Sequence, residues 1–447
     1  MKDFRKGSVT VFLSLVMVFF LSFCLVLTEG VRVYFIKVEA AQAMELSEFS
    51  ILSEYQLELF QDYGLFFLDL DYEQGTECPE ILEKRVETYI EKNTSKLQTK
   101  QLQADHFWRA SDGEGAAFVR QVVELMKVKS GYKLFEGLAE HMSEPMDIGT
   151  LLEENEDQAE ALLDTLQDDT EMPAFSIDLP KISFPSIVML KKAVFGETED
   201  LSAKQVVPEE CLSNRKLEKG IGKKQQISVA EKQLFIDYLF SYFSFYGCQE
   251  KEIPREKLEY QLEYILNGDA EDLKNLENIM WRIFLLRASG NYLFYHQDTE
   301  KTAKAESQAV AVAGVSGNPV LIKTVREILL IAWALDAAVE ETRDIFCGGK
   351  VALYEQGRFA GIELGYEEYL YLLINTTDFG NMIYRCMDVV EMEVREKSGY
   401  QNFKLDHCTD AFEIAWMYQY DSLFVQIPLV NAGTYEENIN RKFQYER

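Results

Sequence analysis

The residue pattern with the most definite chemistry is the segment DLDYEQGTECPE, in which Asp69, Asp71, Glu73 and Glu80 fall at positions 1, 3, 5 and 12 of a calcium-loop template. Calcium takes about six to eight oxygen ligands, and alternating carboxylates closed by a bidentate glutamate supply them. The template also needs glycine at its sixth position for the turn. Gln74 stands there, Gly75 comes one residue late and Pro79 stiffens the chain before Glu80. The segment is therefore expected to form an acidic turn, with these four carboxylates as its calcium candidates and no cofactor expected elsewhere.

Catalytic chemistry has little to draw on. The chain has four histidines, His106, His141, His296 and His407, and lacks a His-Glu-x-x-His pair, a Gly-x-Ser-x-Gly elbow and a Walker loop. Gly220, Gly222 and Lys223 have the residue types of a phosphate loop without its spacing or a preceding apolar strand. Glu367 and Glu368 are adjacent, so on a helix they point in different directions, unlike the facing carboxylates of a glycosidase. Six of the seven cysteines are scattered without metal-type spacing, and six allow 15 connectivities. A non-enzymatic protein is expected.

The element that must position everything else is at the amino terminus. From Val9 to Leu27 there are 19 residues without a charge, among them Phe12, Leu13, Leu15, Phe19 and Phe20. At about 1.5 Å per residue a helix of that length matches a bilayer core. The run is longer than a signal-peptide core and no small-x-small site follows it, so a retained single-pass anchor is expected, with membrane lipid as a partner. Lys2, Arg5 and Lys6 before it keep the amino terminus cytoplasmic and place the bulk of the chain outside the cell membrane.

A chain of 447 residues with 47% hydrophobic content buries more than one domain's worth of core. Its net charge of −30 disfavours nucleic acid, whose backbone needs clustered cations. The segment ILLIAWALDAAV contains Asp336 and reads as a buried core helix. Between Leu134 and Pro180 no Lys or Arg occurs, and the apolar spacing there predicts a helix with an acidic solvent face.

The expected fold class is α+β, mainly helical, ending in a small antiparallel sheet. Its segments are a cytoplasmic tail (1–8), the anchor (9–28), an amphipathic stalk helix (29–65) closed by Gly64, a mixed region with the acidic helix (66–172) and a second region (173–447). The stalk's apolar stripe is expected at Val31, Phe35, Val38, Leu46, Phe49, Leu52 and Leu59. Phe235, Tyr238, Leu239 and Tyr242 are expected on a buried helical face. Pro173, Pro180 and Pro185 predict a linker or edge strand, and FKLDHC and AFEIAWMYQYDSLF predict half-buried strands.

Two resemblances are carried by specific residues. The segment KGSVTVFLSL, with Lys6 and Gly7 as a candidate processing site, resembles the TadE/TadG-type minor pilin terminus of Tad (Flp) pilus systems. EYQLELFQDYGLFFLD, LEYQLEYILNGDAEDLKNL, the Ile328 to Phe346 stretch with its Cys-Gly-Gly exit, and LGYEEYLYLLI resemble a bacterial (Firmicute) family of unknown function, number 5702. The first resemblance implies a protein partner in Tad pilus assembly or another cell-surface assembly. Processed pilins carry glutamate at the fifth residue after the cut, where Phe12 stands here, so a fixed anchor is expected rather than a filament subunit. The alternative expectation is an anchored binding module for calcium, a cell-wall polymer or a surface ligand.

Overall fold

The computed structural model describes residues 4–72, 78–94, 96–130, 185–196, 201–248, 257–314, 317–352, 363–397, 399–423 and 434–445. The chain divides into two compact units that are discontinuous in sequence. One, the sheet unit, is built from Met1–Gln121, Leu217–Gln225 and Lys397–Arg447, and the other, the helical unit, from Val122–Lys216 and Gln226–Glu396. The acidic helix expected between Leu134 and Pro180 lies outside the described residues, as does most of the proline-punctuated stretch.

Helix α1 runs unbroken over 49 residues, Phe4–Leu52. Gly30 leaves it intact, and a Cβ there would meet nothing within 4 Å. The apolar side chains from Val9 to Leu27 are exposed, whereas Ile36, Ala40, Ala43, Met44, Ser47 and Ile51 are buried. This corrects the expected stripe: Val31, Phe35, Leu46 and Phe49 face outward. The buried face includes alanine and serine, which let the helix approach its neighbours closely. The helix also stops earlier than expected. The Gln56 side chain caps a separate short helix, α2 (Leu57–Tyr63), and Gly64, at φ 69°, closes that one.

A four-stranded antiparallel sheet packs on the second half of α1. Strand β1 (Leu68–Asp69) precedes helix α3 (Pro79–Asn93), which buries Leu82, Val86 and Ile90 at fourfold spacing. Strand β2 (Gln98–Arg109) and helix α4 (Asp112–Ser130) follow. The central strand β3 (Cys408–Asp421) pairs along its length with β2 on one side. On its other pairings it meets β1 at Cys408 and Thr409, and β4 (Thr434–Gln444) from Ala411 onward. Phe412, Ile414, Trp416, Tyr418 and Tyr420 alternate along β3 into a core shared with α1 and α3. The expected carboxy-terminal strand is present, but the FKLDHC stretch becomes a short 3-10 turn at Leu405–His407 and enters the strand only at Cys408.

In the helical unit, eight helices are described: α5 (Ile187–Phe195), α6 (Val229–Tyr242), α7 (Gln261–Asn267), α8 (Asp272–Gln297), α9 (Thr299–Ala313), α10 (Pro319–Phe346), α11 (Tyr366–Thr376) and α12 (Phe379–Arg395). Phe235, Tyr238 and Leu239 form the expected buried face of α6, whereas Tyr242 at its end is half-buried. The Ile328–Val339 run lies inside α10, where Leu330, Ala334, Leu335 and Ala338 are buried. Among the described residues α1 is the one helix long and apolar enough to cross a membrane.

Candidate functional site

The two charges that follow the apolar run of α1 are tied down inside the sheet unit. Glu29, only 7% exposed, accepts from Arg32 Nη1 at 3.1 Å and from the Leu423 amide at 3.3 Å. Arg32 Nη2 in turn donates to the Asp421 carbonyl at 2.7 Å. The end of β3 is thereby fastened to the helix at the point where its exposed apolar stretch meets its first charges.

Three of the four calcium candidates lie among the described residues. Asp69 sits at the end of β1, and its Oδ1 accepts from the Asp71 amide at 2.9 Å. Asp71 is buried and its Oδ1 lies 2.6 Å from His407 Nδ1. Glu80 lies in the first turn of α3 on an exposed position, where a carboxylate suits the helix dipole. Glu73 lies outside the described residues. Among the described residues no three His, Cys, Asp or Glu side chains converge as a metal site requires. Burial works to lower the His407 pKa, but the hydrogen bond and charge of Asp71, with the charge of Asp406, outweigh it and hold the imidazole above its ordinary value.

The sheet unit has a cavity of about 500 Å³ where β2 ends. A bulge with His106 at φ 56° turns Trp108 and Arg109 toward it. Three residues in left-handed conformation, Gly113, Glu114 and Gly115, then precede the regular part of α4. For Glu114 that geometry costs on the order of 1 kcal/mol. The Asp112 carboxylate organises the turn: it accepts the amides of Arg109 at 2.9 Å, Gly220 at 2.8 Å and Gly222 at 3.1 Å. Glycine is required because a Cβ at Gly222 would stand 2.5 Å from the Asp112 Cβ, and one at Gly220 would stand 2.2 Å from the Phe107 carbonyl oxygen.

The Gly220–Lys224 stretch is thus brought to the cavity, with its amides pointed at a carboxylate of its own chain. The cavity wall carries five basic side chains, Arg109, Arg120, Lys223, Lys224 and Lys442, against two acidic ones, Asp112 and Asp410. Arg120 pairs with Asp410, whose other oxygen accepts from Gln121 Nε2 at 2.7 Å. Lys224 pairs with Glu114 at 2.6 Å. Lys442 Nζ lies over the Trp108 ring, 4.2 Å from its centroid. Sequence reading noticed Gly220, Gly222 and Lys223 but missed Trp108, Arg120, Asp410 and Lys442. Trp108 on β2 and Arg120 on α4 are some three hundred positions from Asp410 on β3 and Lys442 on β4, and only the fold collects them.

The family model of a family of unknown function (DUF5702) matches residues 186–359 and 355–420, more than half of the 447 residues. No curated protein and no solved structure matches the chain. The match takes in helices α5 to α12 and nearly all of β3, and it leaves α1 and the cavity turn at Asp112 outside. On that match, the chain belongs to the DUF5702 family of unknown function.

Proposed function

We propose that this protein is a single-pass, membrane-anchored interaction protein without enzymatic activity, acting as a fixed component of a Tad-type pilus assembly. The observation that carries the reading is the double use of α1. Its apolar first part is wholly exposed, as a bilayer segment is, and its second part is core to the sheet unit. A helix with both roles couples the folded unit rigidly to the membrane rather than through a flexible tether. On this reading the basic residues before the span keep the amino terminus in the cytoplasm and leave the chain beyond the span outside. Leu46 and Phe49, exposed beyond the span, offer an apolar face for a protein partner.

The Tad assignment is supported by Lys6 and Gly7 at the entrance of the helix, and the fixed-anchor reading by Phe12 at the position where a filament subunit carries glutamate. A charged amine released inside an apolar bundle would have no partner here. Mass spectrometry of the native amino terminus tests retention: peptides containing residues 1–8 are expected, whereas a terminus at Ser8 would show pilin-like processing and overturn it. Cross-linking in intact cells, followed by detergent extraction, is expected to recover pilus-assembly proteins; a profile free of them rejects the assignment.

A further inference from the structure

The cavity at the end of β2 has a charge opposite to that of the molecule. Its wall carries five cations and two anions, on a chain whose net charge is −30. Internal pairing accounts for part of that excess. Asp410 is taken by Arg120 and Gln121, Glu114 pairs with Lys224, and Asp112 is spent on three backbone amides. Lys223 and Lys442 have no carboxylate partner among the described residues. Glu413, opposite Lys442 in the sheet register, is instead 3.0 Å from His106 Nδ1.

We infer that this cavity binds a multiply charged phosphate group, a phosphomonoester or a diphosphate. The two uncompensated ammonium groups arise from different segments, Lys223 from the glycine-bounded loop and Lys442 from β4. Two such cations on the wall of one cavity suit an anion with about two charges and several acceptor oxygens better than a single carboxylate. Asp112 already occupies the amide cradle of Gly220 and Gly222, so the ligand is held by side chains rather than by backbone as in a Walker loop. The left-handed turn is where strain would be kept for such a purpose. This inference concerns the ligand of the sheet unit and does not depend on whether the partner is a pilus component.

The test uses the full chain in nanodiscs of neutral lipid, titrated calorimetrically with inorganic pyrophosphate at low salt. Saturable binding is expected, weakening as sodium chloride is added because the contacts are ionic. Lys223→Gln combined with Lys442→Gln should weaken it at least about tenfold. The exposed pair Lys84→Gln and Lys323→Gln removes the same charge elsewhere and should leave it unchanged. Lys223→Gln alone serves if the double variant does not fold, since that amine makes no internal ion pair. Nanodiscs doped with phosphatidic acid distinguish sources: competition with pyrophosphate identifies a lipid headgroup, and its absence a free phosphate ligand, either of which supports the site. No saturable heat up to about 10 mM, or equal losses in the two double variants, would overturn it.

Discussion

The sheet unit and the helical unit bury their carboxylates against different partners. In the sheet unit Asp71 faces His407 and Asp410 faces Arg120, pairs that join residues about three hundred positions apart. In the helical unit three buried acids face neutral groups. Glu263 accepts from the Tyr366 hydroxyl at 2.6 Å and the Tyr246 amide at 2.8 Å. Asp272 takes the Ser202 hydroxyl and the amides of Glu259 and Tyr260, and Asp388 takes the hydroxyls of Ser213 and Tyr264. Ionic partners compensate a buried charge; hydroxyls do so only in part. Burial accordingly pushes Glu263 up to about 7 and Asp388 up to about 6. The helical unit can also pair acids ionically, as Glu391 between Arg215 and Arg395 shows, so the neutral settings belong to particular sites.

The largest effect is expected in the sheet unit. Asp71→Asn leaves His407 buried without its counter-charge and should destabilise by about 3 to 5 kcal/mol. The His407 pKa is raised in the fold, so its contribution is fully present below the unfolded value of about 6.5 and is lost as pH rises through the folded value. The penalty should therefore be greatest near pH 6 and smaller at pH 9. Urea unfolding of a Trp281→Phe, Trp333→Phe background leaves Trp108 and Trp416 as reporters of this unit. A loss that does not change with pH would break the contrast.

Removing the acid in the helical unit should act in the opposite direction. Glu263 has a folded pKa of about 7 against an ordinary value of 4.5, so between those values the native state binds more protons than the unfolded chain. Wild-type stability from this site then falls as pH rises from about 4.5 to 7. Glu263→Gln keeps an acceptor for Tyr366 and abolishes the titration, so at pH 8 it should stabilise by about 3 kcal/mol relative to its effect at pH 4. The reporters are Trp281 and Trp333 in a Trp108→Phe, Trp416→Phe background. Destabilisation at pH 8 would show that Glu263 is ionised and compensated after all.

The legibility of the chain varied with how local its signals were. The uncharged run of α1, the aromatic face of α6 and the alternation of β3 each lie in one stretch of sequence, and each took its expected form. Strand β2 was missed because QTKQLQADHFWR is mostly polar, with Leu102 and Ala104 its main apolar inward positions. Its strand character comes from pairing with β3, a partner some three hundred residues away. The stalk stripe failed for a related reason. The stalk has apolar residues on more than one face, and contacts with the distant sheet and α3 select the face of Ile36, Ala40, Ala43, Met44, Ser47 and Ile51 and leave Phe35 and Phe49 outside. In the cavity, only the Gly220–Lys223 cluster was local enough to notice. The role of Asp71 was hidden because His407 is its partner through the fold rather than through spacing.

The smallest effect sharpens the comparison within the helical unit, because a second glutamate there has the opposite pH signature. Helix α6 starts with a capping box: the Ser228 hydroxyl accepts from the Glu231 amide, and the Glu231 carboxylate accepts from the Ser228 amide at 2.9 Å. The hydrogen bonds from Ser228, backbone then side chain, hold the Glu231 pKa below its ordinary value against a small opposing desolvation. A depressed pKa contributes stability above the unfolded value of about 4.5 that is lost as pH falls through the folded value. Ser228→Ala should therefore cost about 1 kcal/mol at pH 7 and less near pH 3. Thermal melts at the two pH values, read by Trp281 and Trp333, check this. Glu263 and Glu231 would then differ in sign because one carboxylate is buried among hydroxyls and the other meets free amides at a solvated helix start. A Ser228→Ala cost equal at the two pH values would mean that the cap does not depend on the charge of Glu231.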